Sequence, residues 1–161
     1  MSSIFVFPGQ GSQAVGMGKD LYDNNPIARA VFDEVDEALG QKLSDIIFNG
    51  PMEELTMTAN VQPAIMATSI AMLRVSGAEM TPYVAGHSLG EYTALCAAGA
   101  LPLADTARLL RLRGDAMQRA VPVGQEAMAV VLGLDVETLT TVCRDAEQRV
   151  GGEYVCDIAN D

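Results

Sequence analysis

The chain has 161 residues, 49% of them apolar and 19% charged, and a formal net charge of −11. That length buries a proper core, the composition excludes disorder, and the acidic excess argues against nucleic acid or an anionic membrane surface as partner. No apolar run approaches the ~20 residues of a transmembrane helix, and Cys96, Cys143 and Cys156 form neither an even set nor a Cys-x-x-Cys pair, so the expectation is a cytoplasmic, reduced protein without a metal site.

Met1-Ser2-Ser3 carries no basic region, so Ile4-Phe5-Val6-Phe7 reads as a first strand rather than a signal peptide. Its continuous apolar character suits a strand buried on both faces of a parallel sheet. Pro8-Gly9-Gln10-Gly11-Ser12-Gln13 follows. Gly9-x-Gly11-x-x-Ala14 mimics a dinucleotide fingerprint, which requires a second strand ending in an acid about twenty residues on. Instead Asn25 and Pro26 open a helix at Ile27, whose stripe Ile27, Val31, Val35, Ala38 and Leu39 runs to Gly40. Its acids, Asp33, Glu34, Asp36 and Glu37, lie mainly away from that stripe, and nucleotide binding is set aside. Leu43 to Phe48 and Met52 to Leu55 read as short helical turns, and Gln62-Pro63 opens a run to Val75 that is apolar almost all round, hence a buried helix.

Tyr83-Val84-Ala85-Gly86 is the next strand, and it runs into Gly86-His87-Ser88-Leu89-Gly90 and a helix from Glu91 to Ala100. A strand turning sharply into a helix at a Gly-x-Ser-x-Gly is a nucleophile elbow. Gly86 and Gly90 lack the Cβ that would block the turn, and the first N–H groups of the new helix, Leu89 among them, favour negative charge. Ser88 is therefore the candidate nucleophile. Leu103 to Ala120 is a further helix. At Val121 the style changes: Ala127 to Leu134 reads as a strand, Val136 to Val150 as a helix and Tyr154 to Ala159 as another strand. That division gives a first domain over 1–123 and a second, β-α-β, over 124–161, inside an α/β fold.

On the helix from Leu103, Arg108 has Asp105 at i−3, while Arg111 and Arg119 both have Asp115 at i±4, so these three read as solvated arginines. Arg113 differs. Its neighbours are Leu109, Leu110, Ala116 and Met117, which places a cation on the apolar stripe. Either its head snorkels to water or it pairs with a carboxylate brought from elsewhere. A serine needs a base, yet the sole histidine, His87, adjoins Ser88 and points elsewhere, so it reads as a structural residue of the elbow.

Pro8-Gly9-Gln10-Gly11-Ser12-Gln13, Gln62-Pro63-Ala64, Gly86-His87-Ser88-Leu89-Gly90-Glu91-Tyr92 and Arg111-Leu112-Arg113-Gly114, in this order and at these separations, closely resemble the malonyl-CoA:acyl carrier protein transacylases and the acyltransferase domains of polyketide synthases. The resemblance implies an α/β-hydrolase-like parallel-sheet core with the start of a ferredoxin-like subdomain. It implies that Ser88 becomes malonylated, that the backbone N–H groups of Gln10 and Leu89 form the oxyanion hole, that Arg113 grips the malonyl carboxylate, and that Gln62 lines the pocket. The implied partners are malonyl-CoA and acyl carrier protein, with ping-pong acyl transfer in fatty acid biosynthesis and no metal or redox cofactor.

The same resemblance implies a catalytic histidine in a C-terminal half that these residues lack, so they are expected to be an N-terminal portion, inactive and marginally folded alone. A trans-acting polyketide acyltransferase or a malonate decarboxylase subunit would show nearly the same residues. A serine hydrolase or an inactive binding fragment are the readings from other classes. Docking an acidic carrier calls for a local basic patch, to which Arg108, Arg111 and Arg119 are candidates.

Overall fold

A computed structural model describes residues 4–120, 129, 131–151 and 154–159. The chain divides into two compact units, Met1–Gln125 and Glu126–Asp161. In the first, β1 (Ile4–Phe7) and β2 (Tyr83–Gly86) pair in parallel, Ile4 opposite Tyr83 and Phe7 opposite Gly86. Parallel strands need a long crossover, and here it consists of five helices: α1 (Lys19–Asn24), α2 (Pro26–Leu39), α3 (Leu43–Asn49), α4 (Met52–Thr56) and α5 (Thr58–Ser76). After β2 come α6 (Leu89–Ala97) and α7 (Leu103–Ala120).

Helix α2 starts as its sequence dictates. The Asn25 side chain accepts from the Ile27 N–H at 2.9 Å, Pro26 occupies the first helical position, and Gly40 ends the helix in the left-handed conformation. Its apolar stripe packs Ala28, Val31, Phe32 and Val35 against α5 and α7, all fully or almost fully buried. Asp36, expected among the outward acids, is instead buried. Its carboxylate accepts from the Ser44 N–H at 2.9 Å and the Ser44 hydroxyl at 2.6 Å, with Lys42 Nζ at 3.4 Å, so it caps the start of α3 from a neighbouring helix. Tyr22, Phe32 and Phe48 close the end of this core, with Phe32 and Phe48 ring centroids 5.1 Å apart.

Helix α5 begins at Thr58, not at Gln62-Pro63, and Pro63 lies inside it. Proline supplies a φ that suits a helix but no N–H for the carbonyl four residues back. The first turn is anchored by tertiary contact instead: the Asn60 side-chain amide donates to the Glu54 carbonyl at 2.8 Å. As expected from its composition, α5 is buried continuously from Ala59 to Thr68.

The strands are less enclosed than their composition suggests. Ile4, Val6 and Tyr83 are 55%, 68% and 67% exposed, because among the described residues the sheet has two strands and helices cover one of its faces. In the second unit, α8 (Val136–Arg149) is capped by Asp135, whose carboxylate accepts from the Thr138 N–H at 2.8 Å and the Thr138 hydroxyl at 2.9 Å. Those hydrogen bonds, the backbone one foremost, hold the Asp135 carboxyl below the usual carboxylate range. Residues 154–159 form no strand, and neither do 131–134; no ladder partner reaches them among the described residues. The rest of the expected strand over 127–134, residues 127, 128 and 130, lies outside the described residues.

Candidate active site

Parallel pairing decides where the two glycine turns go. Because Phe7 and Gly86 are register partners, the segments that follow them leave the same edge of the sheet side by side. The His87 N–H donates to the Phe7 carbonyl at 3.2 Å, extending that pairing by one residue into the elbow. A Cβ on Gly90 would stand 2.4 Å from the Phe7 carbonyl oxygen, and one on Gly86 would stand 2.0 Å from the Gly90 carbonyl. Real Cβ atoms do not come that close, so both positions require glycine for α6 to seat on the strands. Gly9 answers the same need against the His87 ring, whose Nδ1 would be 2.7 Å from an added Cβ.

Ser88 has φ 56° and ψ −112°, the one positive φ outside glycine among the described residues. Such a conformation is strained for an L residue and persists only where its surroundings fix it. A serine at a helix start usually turns its hydroxyl back to cap the helix. Here it does not: Ser88 stands at the N-cap of α6 with no capping bond from its side chain. Its Oγ accepts instead from Arg113 Nη2 at 3.0 Å. Among the described residues neither the Leu89 N–H nor the Gln10 N–H has a hydrogen-bond partner. Both belong to segments that follow the paired strand ends Phe7 and Gly86.

Arg113 arrives from α7. It neither snorkels freely nor meets a carboxylate: Nη1 donates to Gln62 Oε1 at 2.6 Å and Nη2 to Ser88. The guanidinium carbon also lies 6.0 Å from the centre of the Tyr92 ring, one turn beyond Ser88 on α6. The cation is thus held by two neutral oxygens and an aromatic face, with its charge uncompensated by any acid among the described residues. Gln62, expected to line a pocket, is 0% exposed and is covered by the helices around it. Tyr92, which faces the guanidinium, stands in the sequence at the end of the elbow motif, and Met117, which accepts from Gln62 Nε2 at 3.4 Å, stands there as a helix neighbour of Arg113.

Of the other arginines of α7, Arg108 meets its i−3 expectation while Arg111 and Arg119 differ from the i±4 one. Arg108 does bond Asp105, at 2.9 Å, and also the Ala38 carbonyl. Arg111 is turned inward, donating to Asn60 Oδ1 and Gln41 Oε1, both at 2.9 Å. No ion pair joins Asp115 to Arg111 or Arg119 among the described residues. Burial pushes the Arg111 guanidinium below its usual range, with Asp115 opposing the shift from a distance. Arg111 is a tie between helices, not part of a free basic patch. His87 is exposed; its backbone N–H bonds the Phe7 carbonyl and its ring lies against Gly9.

A family model described as acyl transferase domain matches residues 4–153. The malonyl CoA-acyl carrier protein transacylase of Bacillus subtilis (strain 168) is 55% identical over 145 residues, which is 88% of this chain and 46% of that protein. The protein of the same description from Escherichia coli (strain K12) is 46% identical over 147 residues, 89% of this chain and 48% of its own length. Among solved structures, an acyl-carrier-protein-S-malonyltransferase from Bartonella henselae superimposes with a TM-score of 0.89 at 55% identity, covering 100% of this chain and 52% of that one. A malonyl-transacylase in complex with a type II PKS acyl-carrier protein gives 0.85 at 43% identity, covering 92% and 49%. The chain spans about half the length of the curated relatives it matches.

Proposed function

Because the chain belongs to the acyl transferase domain family, we propose that it is the part of a cytoplasmic malonyl-CoA:acyl carrier protein transacylase of fatty acid biosynthesis that carries the nucleophile and the carboxylate anchor. The observation that carries this reading is the 3.0 Å contact between Arg113 Nη2 and Ser88 Oγ at a strained turn. A general esterase has no use for a free cation beside its nucleophile. An enzyme whose acyl group ends in a carboxylate does, since a guanidinium fork holds a carboxylate by two charge-assisted hydrogen bonds.

In this mechanism Ser88 Oγ attacks the thioester carbonyl carbon of malonyl-CoA as a base removes its proton. The developing oxyanion is met by the N–H groups of Gln10 and Leu89, while Arg113 holds the far carboxylate. Breakage of the C–S bond releases CoA as its thiol and leaves malonyl-Ser88. The phosphopantetheine thiol of acyl carrier protein then attacks this ester, and Ser88 recovers its proton. No metal or redox cofactor enters any step.

The base comes from sequence beyond these 161 residues, of which His87 is the only histidine. That further half also covers the open sheet face at Ile4, Val6 and Tyr83. The second unit, in turn, is the opening of a ferredoxin-like subdomain that the further half completes; support for this is the match running to residue 153 and the extent of the structural superpositions.

The test uses the full-length protein that contains these residues. Incubated with malonyl-CoA and digested, it is expected to show a malonyl increment on Ser88 that disappears when holo acyl carrier protein is added. Disappearance without the carrier would replace transfer by hydrolysis, and no increment at all would replace it by binding. The 161-residue chain alone is expected not to turn over, and to regain transfer when the C-terminal half is supplied as a second chain.

A further inference from the structure

We propose that Ser12 and Gln13 are positioning residues for the oxyanion hole: their side chains fix the peptide units on either side of the Gln10 Cα and so hold the Gln10 N–H ready for the developing charge. The proposal rests on the reading of the Gln10 and Leu89 N–H groups as the oxyanion donors, and it adds two residues that do not themselves touch substrate.

The chain that enters this turn is fixed against the elbow. A Cβ on Gly90 would stand 2.9 Å from the Pro8 carbonyl oxygen, and one on Gly9 would stand 3.1 Å from the His87 carbonyl oxygen. Pro8 and Gly9 thus touch the residues on both sides of Ser88 and Leu89. Beyond Gly9 that support ends. Gln10, Gly11 and Ser12 are exposed, and a Cβ on Gly11 would meet nothing within 4 Å. Gly11 also has φ 107°, a conformation open to glycine and costly for other residues. Packing among the described residues therefore does not set the shape of the turn.

Two local hydrogen bonds set it instead. The Ser12 hydroxyl donates to the Gly9 carbonyl at 2.9 Å, and Gln13 Oε1 accepts from the Gly11 N–H at 2.8 Å. Both directions are forced, since a carbonyl only accepts and a backbone N–H only donates. The Gly9 carbonyl and the Gln10 N–H belong to one planar trans peptide, in which they point opposite ways. Holding the carbonyl aims the N–H. Donation into that carbonyl also polarises the unit and strengthens its N–H as a donor. Gln13 fixes the following peptide unit and takes up the Gly11 N–H, which would otherwise compete for the same anion. The Gln10 N–H keeps no partner among the described residues.

A donor held in place before the reaction needs no reorganisation as charge develops, and removing one outright costs about 10²–10³ in rate. Here the donor would remain and lose its aim, so a smaller effect follows. Both half-reactions pass through an oxyanion, and neither depends at this point on what the far end of the acyl group carries. The signature is therefore a loss of kcat shared by all acyl groups, unlike the selective loss expected at Arg113.

Ser12→Ala, Ser12→Thr and Gln13→Met are made in the full-length protein, and transfer to holo acyl carrier protein is measured from malonyl-CoA and from acetyl-CoA. Ser12→Ala and Gln13→Met are each expected to lower kcat on the order of tenfold for both acyl groups, with KM and the melting temperature little changed. Ser12→Thr, which keeps the hydroxyl, is expected to retain the original rate. Unchanged kcat in both Ser12→Ala and Gln13→Met would overturn the positioning role. So would a loss carried by KM or confined to malonyl, or a Ser12→Thr variant as slow as Ser12→Ala. If the unsubstituted protein itself fails to load Ser88 from malonyl-CoA, it is the functional reading that falls, and the two failures are distinguishable.

Discussion

The first unit contains two regions built on opposite terms. The helical region of α2, α3, α5 and α7 is closed: Val31, Leu43, Ile47, Leu55, Met66 and Leu110 are completely or almost completely buried, and its internal polar groups, Asp36 with Ser44 and Arg111 with Asn60, are paired. The sheet region is open, with two short strands and apolar side chains facing out. Ser88 comes from the open region and Arg113 from the closed one. A strained serine turn is thereby set against a closely packed helical wall that carries a cation to it.

That contrast makes sharp expectations about which changes are tolerated. The largest effect belongs to Gly86→Ala, whose new Cβ would lie 2.0 Å from the Gly90 carbonyl. Neither backbone segment has room to give, so loss of about 3 kcal/mol or more is expected, read as failure to accumulate soluble protein, with Ser88 loading lost in whatever folds. A chain with near-normal stability would mean that the elbow is looser than its contacts indicate.

Next comes a pair of truncations that compares the regions directly. Ile47→Ala, in the closed region, is expected to lower stability by about 2–5 kcal/mol in urea denaturation. Val6→Ala, on the open face, is expected to change it by less than about 0.5 kcal/mol in the 161-residue chain. In the full-length protein the Val6 penalty should grow as the face is covered; equal, small penalties in both contexts would show that nothing packs there. Asn25→Ala, removing the side chain that caps α2, is expected to lower stability by about 1 kcal/mol.

The legibility of these regions follows the range of the interactions that make them. The start of α2 was readable because Asn25, Pro26 and Ile27 are adjacent and the cap is made within three residues. The elbow was readable because Gly86, Ser88 and Gly90 act within one turn. Pro63 misled, since its local preference to begin a helix is overridden by Asn60 reaching the Glu54 carbonyl. Arg111 was assigned to Asp115 by helix spacing, yet its partners are Asn60 and Gln41, 51 and 70 residues away, and no periodicity reveals them. Arg113 stands out by its apolar neighbours, but its partners Gln62 and Ser88 come from α5 and from the elbow before α6. The motif residues were visible one by one; the geometry joining them is tertiary.

The most direct test of the account compares malonyl with acetyl loading of Ser88 in Arg113→Ala of the full-length protein. Loss of the guanidinium removes a charge-assisted contact available only to an acyl group with its own carboxylate, so the malonyl-to-acetyl ratio of kcat/KM is expected to fall on the order of tenfold or more. An unchanged ratio, with both acyl groups losing equally, would contradict the placement of a carboxylate anchor beside the nucleophile.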